Sequence, residues 1–395
     1  MSGFKETEIG FVPKNWQVVE LGVVCTQRKE IITPNSNGKG KYVGLEHIQT
    51  GVFRLKNYGN EGDVKSAKYK FYDGDILYGK LRPYLDKAVL VDLSGICSTD
   101  IVVLKGTEQL LQSYLIGLVH TNYFIEYSKR TTSGVNHPRT SWNLLKKFKF
   151  GLPTLEEQCN IAYILSKIQS AIEAQEKIIQ TTTELKKALM QKLFTEGLKG
   201  EPQKETEIGL VPKSWQVIGL GDVFELTSGK TRPTELTPMP KNGFLYPVYG
   251  GNGVLGYSKE SLIDFKTIVL GRVGAYCGNV YLTDNKSWIS DNALYAKVFL
   301  RECDLYYLSV ALKGLNLNRL RNTGGQPLIS QSIVYSQKIA FPKIDEQIEI
   351  AKTLEQTDKK INMAIEKKNV LQSLFKSMLH HLMTGQIRVK DLRFS

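Results

Sequence analysis

From Glu156 to Phe194 the chain runs without a glycine or proline, and apolar residues recur at alternating spacings of four and three. That spacing predicts one helix of roughly 40 residues carrying a coiled-coil seam. Ile161, Leu165, Ile168, Ile172, Ile179 and Leu189 occupy the seam, with Gln175, Thr182 and Lys186 as polar insertions. The same spacing returns near the end of the chain, where Ile350, Leu354, Ile361, Leu371, Phe375 and Leu382 form a matching stripe interrupted by Lys368. At 1.5 Å per residue each helix spans about 60 Å, longer than a small domain is wide, so it has to act partly as a spacer. The two stripes can bury each other in antiparallel fashion, and the polar seam positions then set register. The alternative is that each helix packs on its own domain.

Elsewhere the apolar runs are short and broken by Gly, Asp and Asn. Ile76–Tyr78, Ala88–Val91 and Ile101–Leu104 read as strands, as do Thr267–Leu270, Gly278–Leu282 and Ala293–Phe299. One helix is expected in each stretch, at about 108–129 and 304–320. The expected fold class is therefore α+β: two globular mixed domains joined by two long antiparallel coiled-coil helices.

Repetition sharpens this picture. Lys5–Val18 returns as Lys204–Val217 with only Phe11/Leu210 and Asn15/Ser214 differing. Leu152–Gln158 matches Phe341–Gln347, and the register from Pro153 to Thr195 continues without a gap from Pro342 to Thr384. The period is a whole domain plus a helix, far longer than that of a solenoid repeat. The expected boundaries are a first domain at 1–153, a first spacer helix at 154–199, a second domain at 200–342, and a second spacer helix with tail at 343–395. The repeat implies pseudo-twofold symmetry.

Charge supplies the partner class. A formal net charge of +13 over 395 residues favours an anionic partner, nucleic acid first. A membrane surface is the weaker candidate, because no 18-residue apolar run, signal peptide, lipidation signal or wholly basic amphipathic face is visible. A cytoplasmic location is expected. The five cysteines stand singly, with no CxxC, and read as reduced and mostly buried.

Ile76–Tyr84 lines up with Ile268–Tyr276, each a strand ending in Gly followed by a basic residue and then a tyrosine. Basic and aromatic side chains interleaved on loops suit phosphate contact, guanine recognition and stacking. The candidate DNA-binding residues are Lys80, Arg82, Tyr84, Arg130 and Arg139 in the first half. Lys230, Arg232, Arg272, Tyr276 and Arg321 are the candidates in the second. The bland reading of any one of them is a turn, a packed ring or a solvated surface charge.

Catalytic chemistry leaves little trace. Gly251–Gly256 fits GxGxxG but is not followed by an apolar-periodic helix, and Ser228–Thr231 lacks the first glycine of a P-loop. The five histidines have no metal-ligand spacing; no metal or cofactor is expected, and the chain reads as a binder and not an enzyme.

This organisation resembles the DNA-specificity subunit of type I restriction-modification systems. The resemblance rests on the repeated Glu-Ile-Gly-x-Val-Pro-Lys-x-Trp ending at Trp16 and Trp215, on the two Pro-x-x-Glu-Gln segments ending at Gln158 and Gln347, and on Leu382–Val389. Gly250–Tyr257 also looks like a stretch common in such recognition domains. The resemblance implies two target-recognition domains, each reading half of an asymmetric bipartite double-stranded DNA site. It further implies two methyltransferase subunits docked on the helices, which set the spacer, and restriction subunits that translocate DNA. Methylation with S-adenosylmethionine and ATP-driven movement would belong to those partners. The family's recognition domains are hypervariable, so no contact residue carries over. The rival reading is a coiled-coil interaction scaffold without sequence-specific DNA recognition.

Overall fold

A computed structural model describes residues 3–322, 327–390 and 392. Contacts divide the chain into two compact units, Met1–Lys177 with Ile365–Ser395, and Ile178–Ala364. Each unit therefore holds one globular domain, one half of each long helix, and its own core.

The two units repeat one four-stranded sheet, while their second sheets have five and three strands. In the first, an antiparallel sheet runs Ala88–Leu90, Ile76–Gly79, Ile101–Gly106, Cys25–Arg28; in the second, the order is Val280–Leu282, Ile268–Gly271, Ala293–Phe299, Phe224–Ser228. The central strands Ile76–Gly79 and Ile268–Gly271 are buried along their whole length, which explains their uninterrupted apolar character. A second sheet in each unit contains one parallel pair, Lys41–Val43 with Gly95–Cys97 and Tyr246–Gly250 with Trp288–Ile289.

The duplicated segments build a frame beside each domain. Phe4–Thr7 and Gly10–Pro13 form a hairpin, as do Gln203–Thr206 and Gly209–Pro212. Gln17–Glu20 then pairs with Lys149–Leu152, and Gln216–Gly219 with Lys338–Phe341. Trp16 and Trp215 are buried to 1% exposure. The Trp16 indole donates to Glu157 Oε2 at 2.9 Å, and that of Trp215 to Glu346 Oε2 at 3.0 Å. The adjacent Gln158 and Gln347 donate to the carbonyls of Pro153 and Pro342, while their side-chain oxygens accept the Leu111 and Asp304 amides. The repeated Trp and Glu-Gln are thus the hydrogen-bonded joint between each domain and the start of its helix.

The long helices span Leu155–Glu196 and Ile344–Met383. In the first unit, Ile161, Leu165 and Ile172 share a core with Phe375, Leu379 and Leu382, as well as with Trp16 and the domain interior. In the second, Leu193 and half-buried Leu189 pack with Ile350 and Leu354. The halves run antiparallel within each unit, and the ends of the stripes serve the domain cores as well as each other. Ile168, Ile179, Ile361 and Leu371 are half-buried. The polar seam residues meet carboxylates on the facing helix: Lys186 pairs with Asp358 at 2.5 Å and Lys368 approaches Glu176 at 3.8 Å.

Two expectations need correction. The single helix at 108–129 is two, Gln112–Val119 and Asn122–Arg130, because the Thr121 side chain accepts the Phe124 amide and starts a new helix there. The helix at 304–320 ends at Gly314 and resumes as a 3-10 turn, Leu317–Leu320, after Asn316 in the left-handed region. The cysteines are mostly buried as expected, with Cys25, Cys97 and Cys277 in the interior and Cys159 exposed.

Candidate nucleic-acid interface

In both units the buried central strand ends at a glycine and turns outward into a short loop. A Cβ on Gly271 would stand 2.5 Å from the Gly251 carbonyl oxygen, so the close approach of the backbone requires glycine there; one on Gly79 would crowd the Leu45 side chain at 2.8 Å and the Lys87 carbonyl oxygen at 3.2 Å. The next residues are Lys80 and Arg272. Their amides donate to the carbonyls of Asp100 and Asn292, at 2.9 and 3.0 Å.

A second loop then docks on each turn in the same way. Thr140 N donates to Lys80 O and Arg82 N to Pro138 O; Ile329 N donates to Arg272 O and Gly274 N to Pro327 O. Leu81 bridges Arg139, which also bridges Ser133; Val273 bridges Leu328, which also bridges Asn322. One backbone device, a glycine turn clamped by a Pro-led loop, is therefore built twice. Its side chains differ: Lys80, Asp100 and Arg139 in the first copy stand where Arg272, Asn292 and Leu328 stand in the second.

The first copy gathers several of the sequence candidates. Lys80 is half-buried, and Arg82, in the left-handed region at φ 51°, is exposed. Tyr84 lies 48% exposed on the Pro83–Leu85 turn. Arg139 meets Asp100 through two bonds, Nε to Oδ1 at 2.8 Å and Nη2 to Oδ2 at 3.1 Å. This guanidinium holds the Asp100 carboxyl below the usual carboxylate range. Arg130 ends the helix Asn122–Arg130, which packs against the Pro83–Leu85 turn.

Behind the turn is a buried brace that sequence reasoning missed. His120 is 4% exposed; its Nδ1 lies 2.7 Å from Asp86 Oδ1 and its Nε2 3.1 Å from the Ala88 carbonyl, with Phe53 stacked on the ring at 4.8 Å. Asp86 closes the turn carrying Arg82 and Tyr84, again in the left-handed region. The brace fixes how that turn is presented.

In the second copy, Arg272 donates through Nη1 to Ser228 Oγ at 3.0 Å, and Lys230 follows two residues after Ser228, bridging Ser290. Arg232 is exposed just beyond. Tyr276 is 53% exposed. Asn318 links its turn to Arg321, donating to the carbonyls of Ala275 and Cys277 at 3.1 and 2.7 Å while its oxygen accepts from the Arg321 guanidinium. Lys230, Arg272, Tyr276 and Arg321 are thus tied to the clamped turn, directly or through one neighbour.

Gly251–Gly256 covers the bend after the strand Tyr246–Gly250 and the start of the strand Gly253–Ser258, so its glycines serve a hairpin and not a helix-borne phosphate site. Ser228–Thr231 likewise leaves a strand without entering a helix. Among the described residues, no cluster of His, Cys, Asp and Glu could hold a metal ion, and no helix is long and apolar enough to cross a membrane.

Comparison with known proteins gives a consistent result. The profile of the type I restriction modification DNA specificity domain matches residues 13–183 and again 212–373. A protein of Methanocaldococcus jannaschii assigned as the type I restriction enzyme MjaX specificity subunit is 29% identical, over 98% of this chain and 97% of its own. The MjaVIII specificity subunit of the same organism is 26% identical over 99% and 97%. Among solved structures, the type I restriction-modification S subunit from M. genitalium superposes with a TM-score of 0.68 at 17% identity, covering 93% of this chain and 96% of that one.

Proposed function

The chain belongs to the family of type I restriction-modification DNA specificity subunits, and on that premise we propose that each of its two domains reads one half of an asymmetric bipartite double-stranded DNA target. The observation that carries the reading is the duplicated clamped turn: one backbone presents Lys80 and Arg139 in one domain, Arg272 and Leu328 in the other. Equal backbones position a side chain at equal places, and unequal side chains prefer unequal bases. The exposed Tyr84 and Tyr276 and the cations around them add stacking and phosphate contacts.

In this reading the chain performs no chemistry. Two methyltransferase subunits dock on the repeated helical frame, and restriction subunits join them; adenine methylation with S-adenosylmethionine and ATP-driven translocation belong to those partners. The long helices act as the ruler between the half-sites, as dimer geometry does in other DNA-binding proteins. The chain works in the cytoplasm, where it meets DNA.

The test is to co-express the chain with the methyltransferase subunit of its system and map adenine methylation across the host genome. A split motif that depends on the chain, and of which one half alone changes when residues 20–150 are exchanged for those of a relative, is expected. An assembled complex that produces no motif would overturn the proposal.

A further inference from the structure

Arg139 and Asp100 differ from an ordinary surface ion pair in how completely the arginine is held. Its backbone exchanges hydrogen bonds with Ser133 in both directions at 3.0 Å. Its guanidinium carries five N–H donors in a fixed plane. Nε and one Nη2 proton are taken side-on by the Asp100 carboxylate, at 2.8 and 3.1 Å. Nη1 gives one proton to the His137 carbonyl at 3.2 Å. Two donors are left over, the end-on proton of Nη2 and one proton of Nη1. The side chain remains 43% exposed, so the tip is open to a ligand.

Resting on the reading of this domain as a DNA reader, we propose that Arg139 is a specificity-determining residue that grips the O6 and N7 of a guanine, and that Asp100 is the positioning residue that aims it. A two-pronged end-on donor matches those two acceptors in the major groove. A phosphate could also take two prongs, but Asp100 argues against it. The carboxylate cancels most of the positive charge that makes arginine attractive to a phosphate, and it would itself repel one. Geometry is kept while charge is discounted, which favours a base edge over the backbone.

The second domain provides the contrast. Leu328 and Asn292 occupy the places of Arg139 and Asp100, so its clamped loop has no fork to offer there. A guanine contact from this place in the loop is therefore confined to the first domain.

The experiment uses the full chain assembled with its methyltransferase subunits, selecting bound sequences from a randomised double-stranded library at fixed salt. The wild type is expected to require a G·C pair at one position of one half-site. Arg139→Ala should relax that single position by roughly 5- to 150-fold in discrimination, the value of one bidentate base contact, and leave the other half-site unchanged. Arg139→Lys, which keeps the charge but not the fork, should relax it as well. Asp100→Asn should relax it in part, because the arginine remains but is no longer aimed. Melting temperatures of the variants separate this from loop collapse, which would lower them and weaken the whole half-site. Retention of the same base preference in Arg139→Ala and Arg139→Lys, or a uniform loss across all sequences, would overturn the assignment while leaving the domain a DNA reader. A wild-type complex without any sequence preference would remove that broader reading and this one with it.

Discussion

Replacing Arg388 with alanine should destabilise the first unit selectively, although the residue is 231 positions away from its partner. Glu157 is completely shielded from solvent, and its carboxylate is met by Arg388 Nε at 2.8 Å and Nη2 at 2.9 Å and by the Trp16 indole at 2.9 Å. Burial by itself pushes this carboxyl up, but Arg388 and Trp16 together outweigh burial and hold it below the ordinary range. Removing one partner of a buried ion pair costs about 3–5 kcal/mol. The Arg388 side chain is 26% exposed and water can replace part of it, which puts the cost at the lower end, about 3 kcal/mol. For a unit of about 200 residues that corresponds to a fall of roughly 6–12 °C in melting temperature.

The pH dependence has a definite sign. In the wild type the depressed carboxyl contributes stability above its unfolded-state pKa and loses it on acidification through the folded value. In Arg388→Ala burial dominates, the carboxyl is raised, and the folded state binds the proton more readily than the unfolded one. The deficit of the variant should therefore shrink as pH falls from 7 towards 4.5. Differential scanning calorimetry of the full chain across that range measures both quantities. Adding Glu157→Gln to Arg388→Ala should recover part of the loss at pH 7 by removing the stranded charge. An unshifted transition, or a deficit independent of pH, would refute the reasoning.

Three further outcomes are expected. Lys80→Ala and Arg272→Ala should each weaken DNA binding, and each phosphate no longer neutralised should flatten the slope of log affinity against log salt by about 0.9, as read by fluorescence anisotropy. Inserting one heptad after Ile178, with a matching heptad in the facing helix, adds about 10 Å of helix; methylation mapping should show the two half-sites about three base pairs further apart, or no methylation. Gly385→Ala should lower the melting temperature of the first unit, because Gly385 sits at φ +69° and a Cβ would lie 2.3 Å from Pro13 Cγ.

Local pattern made much of the architecture readable. An unbroken 4-3 spacing from Glu156 onward announced a helix that runs from Leu155 to Glu196, and short apolar runs such as Ile268–Leu270 announced buried strands. What escaped was contact between segments far apart in sequence. No local signal connects Arg388 to Glu157, or Arg139 to Asp100, since each pair forms only when distant elements converge. The break at Thr121 was missed because apolar spacing continues through it, although a threonine able to cap the following turn was present. The alignment of the Gly79 and Gly271 turns was visible in the letters. The loops that clamp them were not, because Pro138-Arg139-Thr140 and Pro327-Leu328-Ile329 share little beyond the proline.

The division of the helices between units has a consequence for biosynthesis. The core of the first unit includes Trp16 together with Leu382, Met383 and Val389, so that core closes only after Val389 has left the ribosome. The second unit is one contiguous stretch, Ile178–Ala364, and has all its parts earlier. At about 5–20 residues per second, the wait between the emergence of Lys177 and that of Val389 is roughly 10–40 s. The domain translated first is thus the last to be completed, and a premature stop shortly before Val389 damages the beginning of the protein more than its middle.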